Sequence, residues 1–195
     1  MEVLESPRCF KTHLLYRQLP RTGRILYIVR DVRDVVVSAW HHARLLGGVS
    51  SLEDFTAGFL RRGWGTSSTW PQHLRSWWPH RRDPHVLFLS YEQVIADLEG
   101  TVRRVAAFCG LPLAEEEIPR IVERCGLAFM KQHEEKFDSR FQGARPDVQG
   151  FIRRGEAREG SDLSPRQRER IDRELSELAA ELGCARGVPY RELLD

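Results

Sequence analysis

The residues best suited to bind a phosphate follow an apolar segment near the start of the sequence. Residues Ile25–Val29 are apolar and β-branched, as in a buried parallel strand, and Arg30 and Asp31 come directly after them. A guanidinium group matches the oxygens of a phosphate. Ser38 lies two helical turns beyond Asp31 on the same side and would add a hydroxyl donor. The spacing alone leaves open the alternative that Arg30 and Ser38 are ordinary surface residues.

A second apolar run, at residues 86–89, leads to Tyr91. Parallel α/β sheets bind ligands at the carboxyl ends of their strands, so we expect Tyr91 to lie near Arg30. If residues 8–11 form a third short strand, His13 joins the same edge of the sheet. By residue type alone, however, His13 is better explained as a structural or surface histidine.

Apolar spacing also predicts the helices that position these residues. After Asp31, apolar residues recur at three- and four-residue spacing until Gly47-Gly48, which predicts a helix that Asp31 caps. Similar patterns predict a helix or turn that begins at Tyr91, and helices that cover residues 102–110 and 115–125 and run from Ser164 to Gly183. The polar residues 132–150 are predicted to form a long loop. Strands alternating with helices indicate an α/β domain with a parallel sheet.

Composition and charge exclude several classes of protein. The chain has 195 residues, 41% of them hydrophobic and 30% charged, and a net charge of +2. These values predict a single domain over residues 1–195 without a general attraction to nucleic acid. No run of about 18 apolar residues is present to span a membrane, no histidines and cysteines have metal-ligand spacing, and no Walker-type or GxGxxG motif occurs. Four cysteines without CxxC spacing and a charged N-terminus favour the cytoplasm.

Four segments of the sequence together resemble the cytosolic-type sulfotransferases, which use 3′-phosphoadenosine 5′-phosphosulfate (PAPS). They occur in the order of that family and at similar spacing. In chain order they are Ser6-Pro-Arg-Cys-Phe-Lys-Thr-His-Leu14, Ile25-Leu-Tyr-Ile-Val-Arg-Asp-Val-Arg-Asp-Val-Val-Val-Ser38, Val86-Leu-Phe-Leu-Ser-Tyr-Glu92 and Phe151-Ile-Arg-Arg-Gly155. The resemblance implies an α/β fold with a three-layer, parallel-sheet architecture like that of the P-loop NTPases.

The resemblance also implies roles for individual residues. His13 is the expected catalytic base, and Lys11 is expected near the transferring sulfuryl group. The expected cofactor site has two parts: the 3′-phosphate is bound by Arg30, Ser38, Arg153, Arg154 and Gly155, and the adenine lies near Tyr91 and Phe129. PAPS is the expected co-substrate and no metal ion is implied. The expected acceptor is a small molecule with a hydroxyl or an amine.

The sequence departs from the family pattern in three places. Family members begin with a strand and a loop resembling Tyr-Pro-Lys-Ser-Gly-Thr-Thr-Trp, which binds the 5′-phosphosulfate. Nothing similar precedes Ser6, so an N-terminally truncated domain is expected. Leu127 stands where the family often has a hydroxyl residue near the adenine. After Gly155, a Gly-Asp-Trp-Lys-like run associated with dimers is replaced, so the sequence gives only weak support to a homodimer.

Three hypotheses for function follow from the sequence. The first is an enzyme that transfers a sulfuryl group from PAPS to an acceptor hydroxyl or amine, with His13 as the general base. The second is a non-catalytic relic or fragment that retains only a 3′-phosphoadenosine half-site. The third is a nucleoside- or phosphate-binding α/β protein of another class, for which the matches are partly accidental. Binding of an adenosine 3′-phosphate ligand separates the first two hypotheses from the third.

Overall fold

The structure is a computed structural model that describes residues 7–20, 22–45, 51–63, 68–136, 152, 155 and 160–184. In this part of the chain two strands, β1 (Ile25–Val29) and β2 (Val86–Ser90), run parallel to each other. Their register pairs Ile25 with Val86 and Val29 with Ser90, so both strands end at the same level. Both predicted strands are confirmed.

In the described residues, helices form the crossover between the two strands, and further helices follow β2. Three lie in the crossover: α1 (Val32–Leu45), α2 (Leu52–Arg62) and α3 (Trp70–Trp77). Five follow β2: α4 (Tyr91–Ala96), α5 (Leu98–Cys109), α6 (Ile118–Cys125), α7 (Leu127–Gln132) and α8 (Pro165–Glu181). The helices predicted from Tyr91, over residues 102–110, over 115–125 and from Ser164 are confirmed, although residues Glu115–Glu117 form a short 3₁₀ turn before α6.

Local signals in the sequence explain where these helices begin and end. Asp31 starts α1 because its Oδ1 accepts a hydrogen bond of 2.8 Å from the N–H of Arg33. Ser164 caps α8 in the same way, by accepting from the N–H of Gln167. Gly110 ends α5 with a φ of 64°, a left-handed conformation that glycine adopts without strain. The expected end of α1 at Gly47-Gly48 and most of the predicted loop at 132–150 lie outside the described residues.

The prediction of a third strand at residues 8–11 is wrong. The segment forms no regular structure, and its side chains are exposed, including that of Phe10 at 73%. A strand needs a neighbouring backbone to pair with and gains most when one of its faces is buried. This mixed polar run has no buried face. Side-chain contacts near residues 14–16 hold it in place instead.

The hydrophobic core has two clusters, and α8 contributes to both. One cluster packs β1 and β2 against α3 and α8 and consists of Tyr27, Val29, Leu74, Trp77, Trp78, Val86, Phe88 and Leu178. The other packs α1 and α2 against α8 and consists of Val32, Val36, Val37, Ala39, Phe59, Leu60, Leu163, Ile171 and Leu175. Burial in these clusters fixes β1 relative to α1 and therefore fixes the turn between them.

Candidate functional site

Arg30 and Tyr91 meet at the carboxyl ends of the two strands. Arg30 lies in the turn between β1 and α1, and Tyr91 is the first residue of α4 after β2. The central carbon of the guanidinium lies 4.2 Å from the centre of the Tyr91 ring, a cation–π contact. The Arg30 side chain is 26% exposed. The parallel register thus brings together the two residues that the sequence placed at this edge.

A buried carboxylate joins Arg30 to a distant loop. Asp34, one turn into α1, lies 3.5 Å from the guanidinium of Arg30 and is only 5% exposed. Its Oδ1 accepts a 2.7 Å hydrogen bond from the N–H of Gly160, in the loop before α8. Gly160 has a φ of 64°, and an added Cβ would come within 2.7 Å of the Cβ of Arg33. The loop therefore closes tightly over the start of α1, where Ser38 follows Asp34 by one further turn and is half-buried.

Glu92 is a site residue to which sequence patterns assign no role. Its Oε1 accepts a 3.1 Å hydrogen bond from the backbone N–H of Asp31. The carboxylate of Asp31 is itself engaged by Arg33, whose guanidinium lies 3.2 Å away. Glu92 therefore ties the first turn of α4 to the turn that carries Arg30. A glutamate in a first helical turn is common, so only the structure reveals this link.

His13 and Lys11 lie on the irregular segment before β1, and α3 contributes a second histidine beside them. Both His13 and Lys11 are exposed. Although solvent reaches His13, neighbouring atoms crowd the ring enough that partial desolvation lowers its pKa below 6.5, and the charge of Lys11 lowers it further. Desolvation also lowers the pKa of His73, with a smaller contribution from His13. A charge on His13 would therefore oppose a charge on His73.

A buried tyrosine holds His73 and links the histidines to β1. The Nδ1 of His73 lies 3.1 Å from the hydroxyl of Tyr27, whose side chain is 8% exposed. Burial raises the pKa of Tyr27 well above its ordinary value, so its hydroxyl keeps its proton. Tyr27 precedes Arg30 by three residues, or about 10 Å along a strand. Tyr27 is the middle residue of β1 and Arg30 follows the end of that strand, so His73 and Arg30 are positioned by the same short strand.

Two of the other predicted binding residues, Phe129 and Gly155, lie at α7. Phe129 lies on α7, is half-buried and packs its ring 4.4 Å from that of His133. Gly155 has a φ of 65°, and an added Cβ would come within 2.7 Å of the side chain of Leu127. The N–H of Ile152 donates to the carboxylate of Glu134. The two described positions of this loop thus contact α7 and the turn at Glu134–Lys136 that follows it, whereas Arg153 and Arg154 lie outside the described residues.

Membrane-spanning helices and metal-ligand groups are absent from the described residues. No helix in the described ranges is long and apolar enough to cross a membrane. Among the same residues, no group of three His, Cys, Asp or Glu side chains is arranged to hold a metal ion.

The fold and the site together define an α/β protein with a cationic and aromatic site at the carboxyl ends of parallel strands. Residues 1–183 match the family described as Sulfotransferase domain. The chain belongs to this sulfotransferase family, which confirms the resemblance found in the sequence.

Curated relatives and solved structures agree with this assignment. The chain is 35% identical to luciferin sulfotransferase of Photinus pyralis over 78% of its own length and 45% of the relative's. It is 30% identical to amine sulfotransferase of Oryctolagus cuniculus over 88% of its length and 61% of the relative's. Retinol dehydratase, solved with androsterone and the inactive cofactor PAP, matches with a TM-score of 0.69 at 33% identity, covering 80% of this chain and 47% of that one.

A further structural match is mouse sulfotransferase SULT7A1 complexed with PAP. Its TM-score is 0.72 at 26% identity, and the match covers 89% of this chain and 66% of that one. The α/β sulfotransferase fold with a parallel sheet is thereby confirmed. The chain spans about half to two-thirds of the length of the proteins it matches.

Proposed function

We propose that this chain forms the nucleotide-binding and proton-accepting part of a PAPS-dependent sulfotransferase that acts on a hydroxyl or amine of a small molecule. The observation that carries the proposal is the meeting of Arg30 and Tyr91 at the carboxyl ends of parallel strands, 4.2 Å apart. Two structural relatives were solved with PAP, which has the 3′-phosphate and adenine that such a site would bind. A cation held over an aromatic ring suits a ligand with both groups.

The binding residues divide into two groups. Arg30, in the turn before α1, and Ser38, in the second turn of that helix, would bind the 3′-phosphate. The loop held against α7 would return Arg153, Arg154 and Gly155 to the same phosphate. Tyr91 and Phe129 would flank the adenine. The N–H of Gly160 and the charge of Arg33 compensate the nearby carboxylates of Asp34 and Asp31, so an anionic ligand at Arg30 would meet less repulsion.

The proton-accepting group would be His13. Because its pKa is lowered, the imidazole is neutral at pH 7 and can take the proton of the acceptor hydroxyl as the oxygen attacks sulfur. The bond between sulfur and the bridging oxygen of PAPS then breaks, and adenosine 3′,5′-bisphosphate leaves with that electron pair. The ammonium of Lys11 would stabilise charge on the sulfuryl and bridging oxygens. Sulfuryl transfer of this kind depends mainly on positioning and charge stabilisation.

Thermal unfolding with and without adenosine 3′,5′-bisphosphate tests the binding site. At about 100 times Kd, a ligand that binds only the folded chain adds about 2.7 kcal/mol. This corresponds to a rise in Tm of roughly 5–10 °C for a domain of this size. The rise should disappear in Arg30→Ala and persist in Arg120→Ala, which removes an exposed arginine from α6. A wild-type chain that unfolds cooperatively without any shift would contradict the proposal.

A second candidate is a chain that binds 3′-phosphoadenosine without transferring sulfate. It is favoured by the exposure of His13 and Lys11, since Arg30 packs on Tyr91 whereas neither proposed catalytic residue is buried. Incubation with radiolabelled PAPS and a simple phenol or amine separates the two candidates. Labelled product that is lost in His13→Gln supports the enzyme, whereas ligand binding without product supports the second candidate. A single domain over residues 1–195, a cytoplasmic location and a homodimer stay predictions.

A further inference from the structure

A polar cluster of four side chains lies beside α3, away from the carboxyl ends of the strands. We name it the Tyr16 cluster: Tyr16, His80, Asp83 and His85. The Tyr16 hydroxyl lies 3.2 Å from Oδ2 of Asp83 and 3.2 Å from Nε2 of His85. The Tyr16 ring stacks on that of His80, with centroids 3.4 Å apart and planes inclined by 9°. His80 completes the cluster through a 2.8 Å contact between its Nδ1 and Asp83.

The hydrogen bonds of the Tyr16 cluster admit one consistent placement of protons. The pKa of Asp83 is lowered, first by the hydrogen bond from His80 and further by that from Tyr16, so its carboxylate is ionised near neutral pH and only accepts. Tyr16 must therefore give its single proton to Asp83. His85 must then donate from Nε2 to the Tyr16 oxygen, and His80 must donate from Nδ1. Each member is thus oriented by the others.

Three further contacts attach residues 14–16, which directly follow His13, to α3. The N–H of Tyr16 donates to Oγ of Ser76 at 2.9 Å. The indole N–H of Trp77 donates to the carbonyl of Leu14 at 3.2 Å, and the Tyr16 ring meets the Trp77 ring edge-on at 5.2 Å. By contrast, every residue from 7 to 14 is exposed. In the described chain, burial thus contributes little to holding His13, and the contacts of residues 14–16 attach the segment to α3.

We propose that the Tyr16 cluster is a positioning device for His13. It fixes the turn that follows His13 and thereby keeps the imidazole beside Lys11 and His73. Tyr16, His80, Asp83 and His85 touch no reacting group themselves, so they are positioning residues. The inference rests on the proposed function for its importance to catalysis, but the placement of His13 is measurable without any activity.

The test is a pH titration of the histidine ring C–H signals by NMR, with His13 assigned from the signal lost in His13→Gln. In the wild-type chain His13 should titrate below 6.5. Tyr16→Phe keeps the ring on His80 and Trp77 but removes both hydroxyl contacts. Asp83→Asn removes the carboxylate that organises the cluster. In both variants the His13 midpoint should move up towards 6.5, because the loosened imidazole becomes more solvated.

Glu115→Gln is the matched control. Glu115, like Asp83, is a surface carboxylate whose pKa is lowered by a hydrogen-bonded side chain, in its case Arg103. Its removal should leave the His13 midpoint unchanged. A folded Tyr16→Phe with a lower Tm and an unchanged His13 midpoint would show a merely structural role and overturn the inference; if that variant does not fold, Asp83→Asn decides alone. Failure to bind adenosine 3′,5′-bisphosphate would contradict the proposed function and leave this titration interpretable.

Discussion

The Arg30 region and the His13 region of this protein are built in different ways. Arg30 lies in a turn whose two ends are a strand and a helix, and a buried carboxylate and a backbone N–H from a distant loop support it. His13 lies on an exposed, irregular segment that side chains attach to α3. The first region is therefore positioned by the fold itself. The second is positioned by a few side-chain contacts that single substitutions can remove.

The largest loss of stability should come from substitution of Trp77, whose side chain packs in the core and also contacts the His13 region. Trp77 is 2% exposed and also donates to the carbonyl of Leu14. Trp77→Ala should lower the free energy of unfolding by about 3–5 kcal/mol. Trp77→Phe keeps most of the buried ring but loses the N–H, so it should cost only about 1 kcal/mol.

Chemical denaturation of the Trp77 variants measures this difference. The His13 titration should shift in Trp77→Phe even though the fold survives, whereas ligand binding at Arg30 should be retained. If Trp77→Phe weakened the binding of adenosine 3′,5′-bisphosphate as well as shifting the His13 titration, the two regions would not be independent.

An intermediate effect should come from the backbone contact that supports Arg30. In Gly160→Ala, a side chain enters the left-handed region and meets Arg33 and Leu163. We expect a loss of about 2–3 kcal/mol, from αL strain together with crowding. Gly183→Ala is the matched control because Gly183 has a φ of 69° but no atom near the added Cβ. It should cost roughly 1 kcal/mol from conformation alone.

Comparison of the two glycine variants isolates the contact with α1. Only Gly160→Ala should reduce the rise in Tm that adenosine 3′,5′-bisphosphate produces, since only this change displaces the N–H that donates a hydrogen bond to Asp34. Equal ligand responses in the two variants would show that the loop before α8 does not support Arg30.

The smallest effect concerns pH and should be confined to the histidine region. Because folding lowers the pKa of His73, the unfolded chain binds more protons between that lowered value and 6.5. The resulting stability is fully present above pH 6.5 and is lost as the pH falls through this window. His73→Gln should therefore lose less Tm than the wild-type chain between pH 7 and pH 5. His133→Gln, at the end of α7, is the control. If the Tm of His73→Gln fell between pH 7 and pH 5 as much as that of the wild-type chain, His73 would not be the source of this pH dependence.

Local sequence was sufficient to predict the Arg30 region and insufficient for the His13 region. The strand, the Asp31 cap and the start of α1 depend on neighbouring residues, so patterns of apolar and capping residues reveal them. His73 and Glu92 act through partners 46 and 61 residues away in the chain. Such contacts leave no local pattern.

The incorrect third strand has the same origin. Residues 8–11 could extend, but whether an extended segment pairs depends on backbone elsewhere in the fold. The Tyr16 cluster was likewise invisible in the sequence, because its hydroxyl reaches side chains 67 and 69 residues further along. Two histidines and an aspartate before a strand are ordinary surface residues until a tyrosine is known to lie among them.

The position of α8 has a consequence for how the chain folds during synthesis. Leu178 completes the cluster formed by β1, β2 and α3, while Ile171 and Leu175 complete the cluster under α1. Neither core can close until this helix has left the ribosome, because domains fold as units once their chain is available. Until then the cluster that contains Tyr27 and Phe88 lacks Leu178. The nascent chain should therefore be a client of hydrophobic-binding chaperones until α8 has been synthesised.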